Sequence, residues 1–426
     1  MGSNEEQIFE EWDTYAQRKE LHSRQFDLDG LIKNSRLKII AITGLRRVGK
    51  TSLLILLRQK LAREGKKVKY LNLEDSRIKN DPLILSSVIK WFGEQGYLIL
   101  DEITNVSDWE SWLARTHEML KGKLNIILSS SRKGLAVPNK PLRGRILSYE
   151  SFPLSFQEFI EFKSLKIEHT TYGQGQVEKA LEEYLTYGGF PEIVLSEGKT
   201  EKVRLLNSYF RDIIGLDVAE ISRENISVVE LFGKYIVDTS YFSASKCLNF
   251  FKSVGFKIAK TSLLRLERYS QESYLFFFLP IFSYTLKDRS QYPRKSYLGD
   301  LGFLYALSGR VDWGRLYENA VFLELKRNNS STVEINYWKN PERKEVDFIL
   351  REGTKTKEII QVVYDLKDKK TLDREVESLK ACAKSLKVKK GLIITKDVEK
   401  VEEDSGLIIN YIPLWKWLLG PSESNR

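Results

Sequence analysis

The sequence predicts an α/β protein in several domains: a parallel sheet built around a glycine-rich loop, a mainly helical middle, and a second, smaller α/β region. Three observations predict it. The apolar run at 37–43, LKIIAIT, suits a buried parallel strand and leads directly into GLRRVGKT. Further short apolar runs at 67–73, 97–100 and 125–128 each close on polar residues. In the last quarter, strand-like runs surround a long helical stretch.

The chain has 426 residues, 42% hydrophobic and 30% charged, which excludes a disordered or collagen-like chain. At about 150 residues per domain, about three domains are expected. The apolar run at 274–282 is far too short to span a bilayer, and the polar, acidic start is not a signal peptide. A cytoplasmic protein with no membrane partner is expected. Lys and Arg number 68 against 58 Asp and Glu, a net charge of +10. That balance suits a polyanionic partner and, equally, a soluble surface. Two cysteines, Cys247 and Cys382, exclude a disulfide framework or a cysteine-rich zinc site. His22, His117 and His169 are isolated, which argues against histidine-based metal catalysis.

GLRRVGKT fits G-x-x-x-x-G-K-[ST] at every fixed position, Gly44 to Thr51. The stretch at 52–62, SLLILLRQKLA, has helical character, so strand, loop and helix come in the order a phosphate site requires. The glycines let backbone N–H groups wrap a phosphate, and the helix N-terminus adds its positive end. Gly44, Arg47, Val48, Gly49, Lys50, Thr51 and Ser52 are the expected nucleotide-binding residues. Lys50 should reach the β- and γ-phosphates of ATP, and Thr51 should ligate Mg²⁺.

The strand at 97–100 closes on Asp101-Glu102. Asp101 would hold the Mg²⁺ shell and Glu102 would polarise the attacking water. The strand at 125–128 closes on Ser129-Ser130-Ser131, where Ser129 or Ser130 can contact the γ-phosphate or the water, or simply end the strand. The pattern places one strand between the loop strand and the Asp-Glu strand.

This arrangement resembles the AAA+ and related ATPases with a catalytic glutamate. The segments GLRRVGKTSLL, LDEITNVSDWESWL, NIILSSS and LRGRILSYESFPLSFQEF are similar to a prokaryotic, often archaeal, family of such ATPases. Its members carry a C-terminal region related to restriction-type nucleases. A Gly-Arg pair before an apolar strand and Pro-Leu-Ser-Phe is part of that likeness, here Gly144-Arg145 and 153–156. The resemblance makes Arg145 a candidate sensor or finger; a structural salt bridge is its other reading. Arg143 and Arg132 are weaker candidates. The string YGGFPE at 187–192 and the helix with Tyr209, Asp212 and Asp217 also match, which implies a helical lid or linker over 162–217 packed on the ATPase core.

Segments 228–237, 243–253 and 260–268 read as three short helices, followed by an aromatic strand-like stretch at 274–284 and another starting at Tyr297. Three helices and a ribbon predict a winged helix. Its recognition helix would carry Lys260, Ser262, Arg265 and Arg268, and its wing Lys287, Arg289, Arg294 and Lys295. These suit phosphate contacts on DNA, with solvated charges on a protein-docking surface as the alternative.

In the last quarter, 316–326 reads as a helix, 334–338, 345–350 and 358–363 as strands, 371–386 as a helix, and 391–395 and 407–413 as strands. That order resembles the PD-(D/E)XK nuclease fold, a restriction-endonuclease-like domain. Such enzymes set Glu, Asp and Glu-x-Lys around Mg²⁺. Here Glu318 and Asp347 match, the third acid falls on Gln361, and the lysine falls on Val363. Asp365 and Lys367 are near enough to act as migrated substitutes. A retained fold with a docking role is therefore favoured over cleavage.

The expected organisation is a P-loop ATPase domain at 1–160, a helical lid at 161–220, a winged helix at 221–300 and a nuclease-like domain at 301–426. The expected activity is Mg²⁺-dependent ATP hydrolysis coupled to conformational change on DNA. An ATP-dependent switch docking a protein partner is the rival, and an ATP-regulated DNA nuclease the second one. An oligomer is compatible with any of these.

Overall fold

The computed structural model describes residues 4–79, 81, 83–131, 142–168, 170–329, 332–366 and 369–420. Its contacts divide the chain into two compact units: Met1–Phe152 with Glu272–Tyr274, and Pro153–Gln271 with Leu275–Arg426.

The first unit runs α1 (Asn4–Arg18), α2 (Leu28–Ser35), β1 (Ile39–Gly44), α3 (Lys50–Arg63), β2 (Val68–Asn72), α4 (Ile84–Phe92), β3 (Gly96–Asp101), α5 (Trp109–Leu120), β4 (Leu124–Ser130) and β5 (Ile146–Ser151). The five strands form one parallel sheet in the order β2-β3-β4-β1-β5. As the sequence predicts, β4 lies between β1 and β3. Alternate residues feed two cores, because side chains of a strand point to opposite faces. Ile39 and Ala41, Leu98 and Leu100, and Ile126 and Leu128 pack in one cluster with Leu85, Val88 and Leu113. Ile40 and Ile42, Ile99 and Ile127 pack in the other with Leu53, Leu54, Leu57 and Leu31. Buried on both faces, the strands read as continuous apolar runs.

Helix α1 was not expected. Acidic residues in its first turn and Arg18 in its last suit the helix dipole. It joins the unit through Asp13, whose carboxylate takes a two-pronged contact from Arg58 on α3, at 3.0 and 2.9 Å, and the Tyr70 N–H of β2 at 3.0 Å.

The second unit begins with α6 (Phe156–Phe162), α7 (Thr171–Tyr187), α8 (Pro191–Leu195) and α9 (Lys199–Asp212), then a π-helical stretch, Ile213–Ala219, and α10 (Glu220–Ser222). It continues with α11 (Ile226–Asp238), β6 (Tyr241–Phe242), α12 (Ala244–Ser253), α13 (Lys260–Glu272), β7 (Phe276–Leu279), α14 (Leu286–Gln291), β8 (Arg294–Leu298) and α15 (Gly302–Ser308). Strands β6, β8 and β7 form an antiparallel ribbon with β8 in the middle. The segment expected as a lid belongs to this unit, where α7 and α9 pack on α15. Asp300 anchors the packing by accepting from the N–H groups of Gly189 and Gly302, both at 2.8 Å.

The chain then forms α16 (Trp313–Asn328), β9 (Val333–Lys339), β10 (Glu345–Glu352), β11 (Lys355–Val362), α17 (Lys369–Leu386), β12 (Lys390–Thr395), β13 (Lys400–Asp404), β14 (Leu407–Pro413) and α18 (Leu414–Leu419). The sheet order is β13-β14-β12-β11-β10-β9, parallel across β11-β12-β14 and antiparallel elsewhere. Strand β13 was not expected. Among the described residues, no helix is long and apolar enough to cross a membrane.

Candidate active site

The loop after β1 is shaped by its glycines. A Cβ on Gly44 would lie 2.1 Å from the Ser151 carbonyl oxygen, so only glycine lets β5 run this close. Arg47 at φ 72° and Gly49 at φ 94° are left-handed, which curls backbone N–H groups toward one point. Lys50 is buried, and its Nζ donates to the carbonyls of Gly44 and Leu45, each at 3.1 Å. Thr51 is exposed and Ser52 half-buried in the first turn of α3. Val48 is buried, and its carbonyl accepts from Arg24 at 2.8 Å, which holds the loop from the N-terminal side.

Glu102 and Ser129 arrive at the same sheet edge, because parallel strands end on one side. Asp101 is buried with both oxygens engaged: the Ser129 hydroxyl donates to one and the Tyr70 hydroxyl to the other, the latter at 2.8 Å. Burial and the Asp101 charge hold the Tyr70 phenol well above its usual range, so it remains a donor. Glu102 sits at φ 51°, a left-handed conformation that costs a non-glycine residue about 1–3 kcal/mol. Its N–H donates to Ser129 Oγ at 3.0 Å, and Glu102 Oε2 accepts from the Ser131 N–H at 3.4 Å. Burial raises the Glu102 carboxyl above its ordinary pKa; Lys50 and Arg46 pull it down, and Asp101 pushes it up. Ser130 instead faces Thr104, with hydroxyls 3.3 Å apart. Of the two serines, Ser129 is the one brought to the acids.

The Thr51 hydroxyl and the fixed Asp101 carboxylate are hard oxygen donors of the kind Mg²⁺ takes, and with both oxygens already bonded Asp101 suits contact through water.

Arg145 does not join this site. Its neighbour Ile146 pairs with Ile39 at the start of β1, whereas Gly44 pairs with Ser151. Five strand residues, about 16 Å, separate the two ends. Arg145 instead pairs with Glu118 of α5 at 3.2 Å. Arg143 is exposed, and Arg132 lies outside the described residues. Tyr70 and Arg24 were missed, because neither lies in a motif. Tyr274 was missed too: its hydroxyl meets Thr43 Oγ1 at 2.8 Å and Glu150 Oε1 at 3.1 Å.

In the second unit, Glu318 on α16 and Asp347 on β10 do come together, but around a lysine. Lys295 Nζ lies 2.6 Å from Asp347 Oδ1, 2.9 Å from Glu318 Oε1 and 3.1 Å from Glu345 Oε1. Expected on an exposed wing, Lys295 is only 4% exposed, since β8 is the central strand of its ribbon. Burial alone would lower its pKa; the Asp347 and Glu318 carboxylates outweigh that and hold it protonated. A register shift between Val346 and Ile349 interrupts the β9–β10 ladder at Asp347. Gln361 does not join: its Oε1 accepts from the Asp347 N–H at 3.2 Å and its Nε2 donates to Glu375 at 2.6 Å. Val363 packs in the apolar cluster with Val376 and Leu379. Asp365 is exposed, and Lys367 lies outside the described residues. Among the described residues, no group of three or more His, Cys, Asp or Glu is arranged to hold a metal ion.

On α13, Ser262, Leu263, Leu266 and Glu267 are buried, while Lys260, Arg265 and Arg268 are exposed. Arg265 pairs with Glu224 at 2.7 Å, and Arg268 lies 5.7 Å from the Tyr269 ring centre. Arg294 is half-buried in an ion pair with Glu267. Lys287 is exposed and Arg289 donates to the Ser283 carbonyl at 2.7 Å.

Residues 36–160 match an AAA domain, and residues 178–313 and 313–417 match two domains of unknown function, DUF8612 and DUF4143. The uncharacterized protein MJ1544 of Methanocaldococcus jannaschii is 31% identical over 399 residues, covering 90% of this chain and 88% of its own. An uncharacterized protein of Haemophilus influenzae is 25% identical over 416 residues, covering 93% of this chain and 99% of its own. Among solved structures, AMPPCP-bound DnaA from Aquifex aeolicus aligns with a TM-score of 0.26 and 15% identity over 57% of this chain and 86% of its own.

Proposed function

The chain belongs to the family of the uncharacterized Methanocaldococcus protein and carries a P-loop ATPase domain of AAA type at residues 36–160, and from that premise we propose that it hydrolyses ATP with Mg²⁺ and couples turnover to DNA. One observation carries the reading. The order β3-β4-β1 sets Glu102, Ser129 and the loop holding Lys50 at one sheet edge. Lys50 would exchange its two loop carbonyls for phosphate oxygens and offset the charge that develops on the transferred group. Glu102 would take the proton of the attacking water at its carboxylate. Ser129 positions both acids. Thr51 and Asp101 would hold the Mg²⁺, which when bound neutralises charge on the β- and γ-phosphates.

Helices α11, α12 and α13 and the ribbon β6-β8-β7 support a winged-helix reading, with Lys260, Arg265 and Arg268 as phosphate contacts and Arg294 beside them. Phosphate contacts position a protein on DNA without reading sequence. The test is the ATPase rate with and without single-stranded, duplex and branched DNA. Stimulation by DNA is expected, with salt-dependent binding. Equal rates and no salt-dependent binding would contradict the coupling.

A second reading, an ATP switch that docks a protein partner, is favoured by one specific observation. Arg265, Arg294 and Lys295 are all engaged by internal carboxylates. The absence of DNA binding would leave that reading standing.

A further inference from the structure

We propose that Lys295 is the resident cation of the Glu318, Glu345 and Asp347 cluster, and that this nuclease-like region takes no divalent metal and cleaves no phosphodiester. A lysine ammonium has three N–H donors. Here Nζ donates to Asp347 at 2.6 Å and Glu318 at 2.9 Å, and Glu345 lies within ion-pair distance at 3.1 Å. The ammonium therefore stands at the point where the three acids converge, the volume a bridging cation would need.

With Lys295 in place, the cluster does not fit Mg²⁺ or Mn²⁺. Mg²⁺ takes octahedral geometry near 2.1 Å through one or two carboxylates with water completing the shell, and the ammonium stands where the ion would have to sit. Each carboxylate here already has a further partner. Tyr297 donates to Glu318 Oε1 at 2.6 Å, the Val362 N–H donates to Asp347 Oδ2 at 2.8 Å, and Lys339 pairs with Glu345 Oε2 at 2.9 Å. The Tyr241 hydroxyl also bonds Glu345. The Gln361 amide, the remaining expected ligand, is used on both sides.

Nor can the lysine step aside cheaply. It is 4% exposed, with the Tyr241 and Tyr337 ring centres each 5.9 Å from Nζ. Expelling it would leave the acids as uncompensated buried charge. The missing lysine of the nuclease-like motif is thus present in space, supplied by β8, but it neutralises the acids. The cluster ties the ribbon, through β8, to α16 and β10. This inference is independent of the ATPase reading.

The test is Mn²⁺ titration, followed by electron paramagnetic resonance, of the nucleotide-free full chain and its Asp347→Asn and Lys295→Met variants. Parent and Asp347→Asn should bind Mn²⁺ alike, with no stoichiometric site. Lys295→Met should gain a site at least about tenfold tighter than any in the parent, because hard oxygens are released to the metal. One Mn²⁺ bound by the parent and lost in Asp347→Asn would overturn the proposal, as would a folded Lys295→Met that gains no site. If Lys295→Met fails to fold, the parent and Asp347→Asn comparison decides alone.

Discussion

The backbone N–H of Glu102 donates to the Ser129 hydroxyl at 3.0 Å, and that hydroxyl donates to Asp101. One side chain from β4 therefore orients both acids that close β3. Removing it leaves a buried carboxylate oxygen and an N–H without this partner, at about 1–3 kcal/mol for each unmade bond. Ser129→Ala should lower kcat about tenfold or more while the KM for ATP changes little, because the loss is felt in the transition state. Steady-state kinetics check this, and an unchanged kcat would remove Ser129 from the mechanism.

The Glu102 carboxyl is raised by burial and the Asp101 charge, with Lys50 opposing. A general base works only when ionised. Turnover should therefore be lost as pH falls, through a midpoint above the ordinary glutamate value of about 4.3. A kcat–pH profile over the folded range checks it. Full activity down to that ordinary value would contradict the raised pKa.

Arg265 and Arg268 on the exposed side of α13 are the proposed phosphate contacts. Arg265→Glu with Arg268→Glu should weaken duplex binding equally at all sequences. The slope of log K against log salt should become shallower by about 2, since each lost phosphate contact removes about 0.9. Binding measured across a salt series gives the slope. An unchanged slope would turn the account toward a protein partner.

Gly188 and Asp300 meet at a close approach. A Cβ at Gly188 would lie 1.8 Å from Asp300 Oδ1, and Gly188 is at φ 80°. Asp300 cannot swing away without breaking its bonds to Gly189 and Gly302. Gly188→Ala should destabilise the protein by about 2 kcal/mol or more. The cost of Gly188→Ala should shrink in an Asp300→Ala background, which denaturation of the four members of the cycle would measure. Additive effects would deny the coupling.

The nucleotide-binding sheet was legible because its determinants are local. A buried parallel strand is a short apolar run; Gly44 and Asp101 close two of them, Glu102 follows the second, and Lys50 and Thr51 open the helix after the first. Tyr70 was not legible, since it is one more apolar residue within β2 and only the β2-β3 pairing brings it to Asp101. Arg145 forms the structural salt bridge that was its other reading, at the start of β5 rather than at the loop. Lys295 misled. It lies in a basic stretch that reads as a wing, 23 residues before Glu318 and 52 before Asp347, and only tertiary folding reveals that β8 is covered. Gln361 and Val363 differ by residue type from the acid and lysine of the expected motif, but the partners they take, Glu375 and the apolar cluster with Val376 and Leu379, come from α17 and could not be foreseen.

The measurement that bears most directly on ATP hydrolysis compares nucleotide binding and turnover in the parent and Glu102→Gln. The substitution keeps the shape of the side chain and removes the base. Binding of ATP should stay within a few-fold of the parent, and turnover should fall about a hundred-fold or more. Turnover equal to that of the parent would contradict the assignment of Glu102 as the residue that activates water.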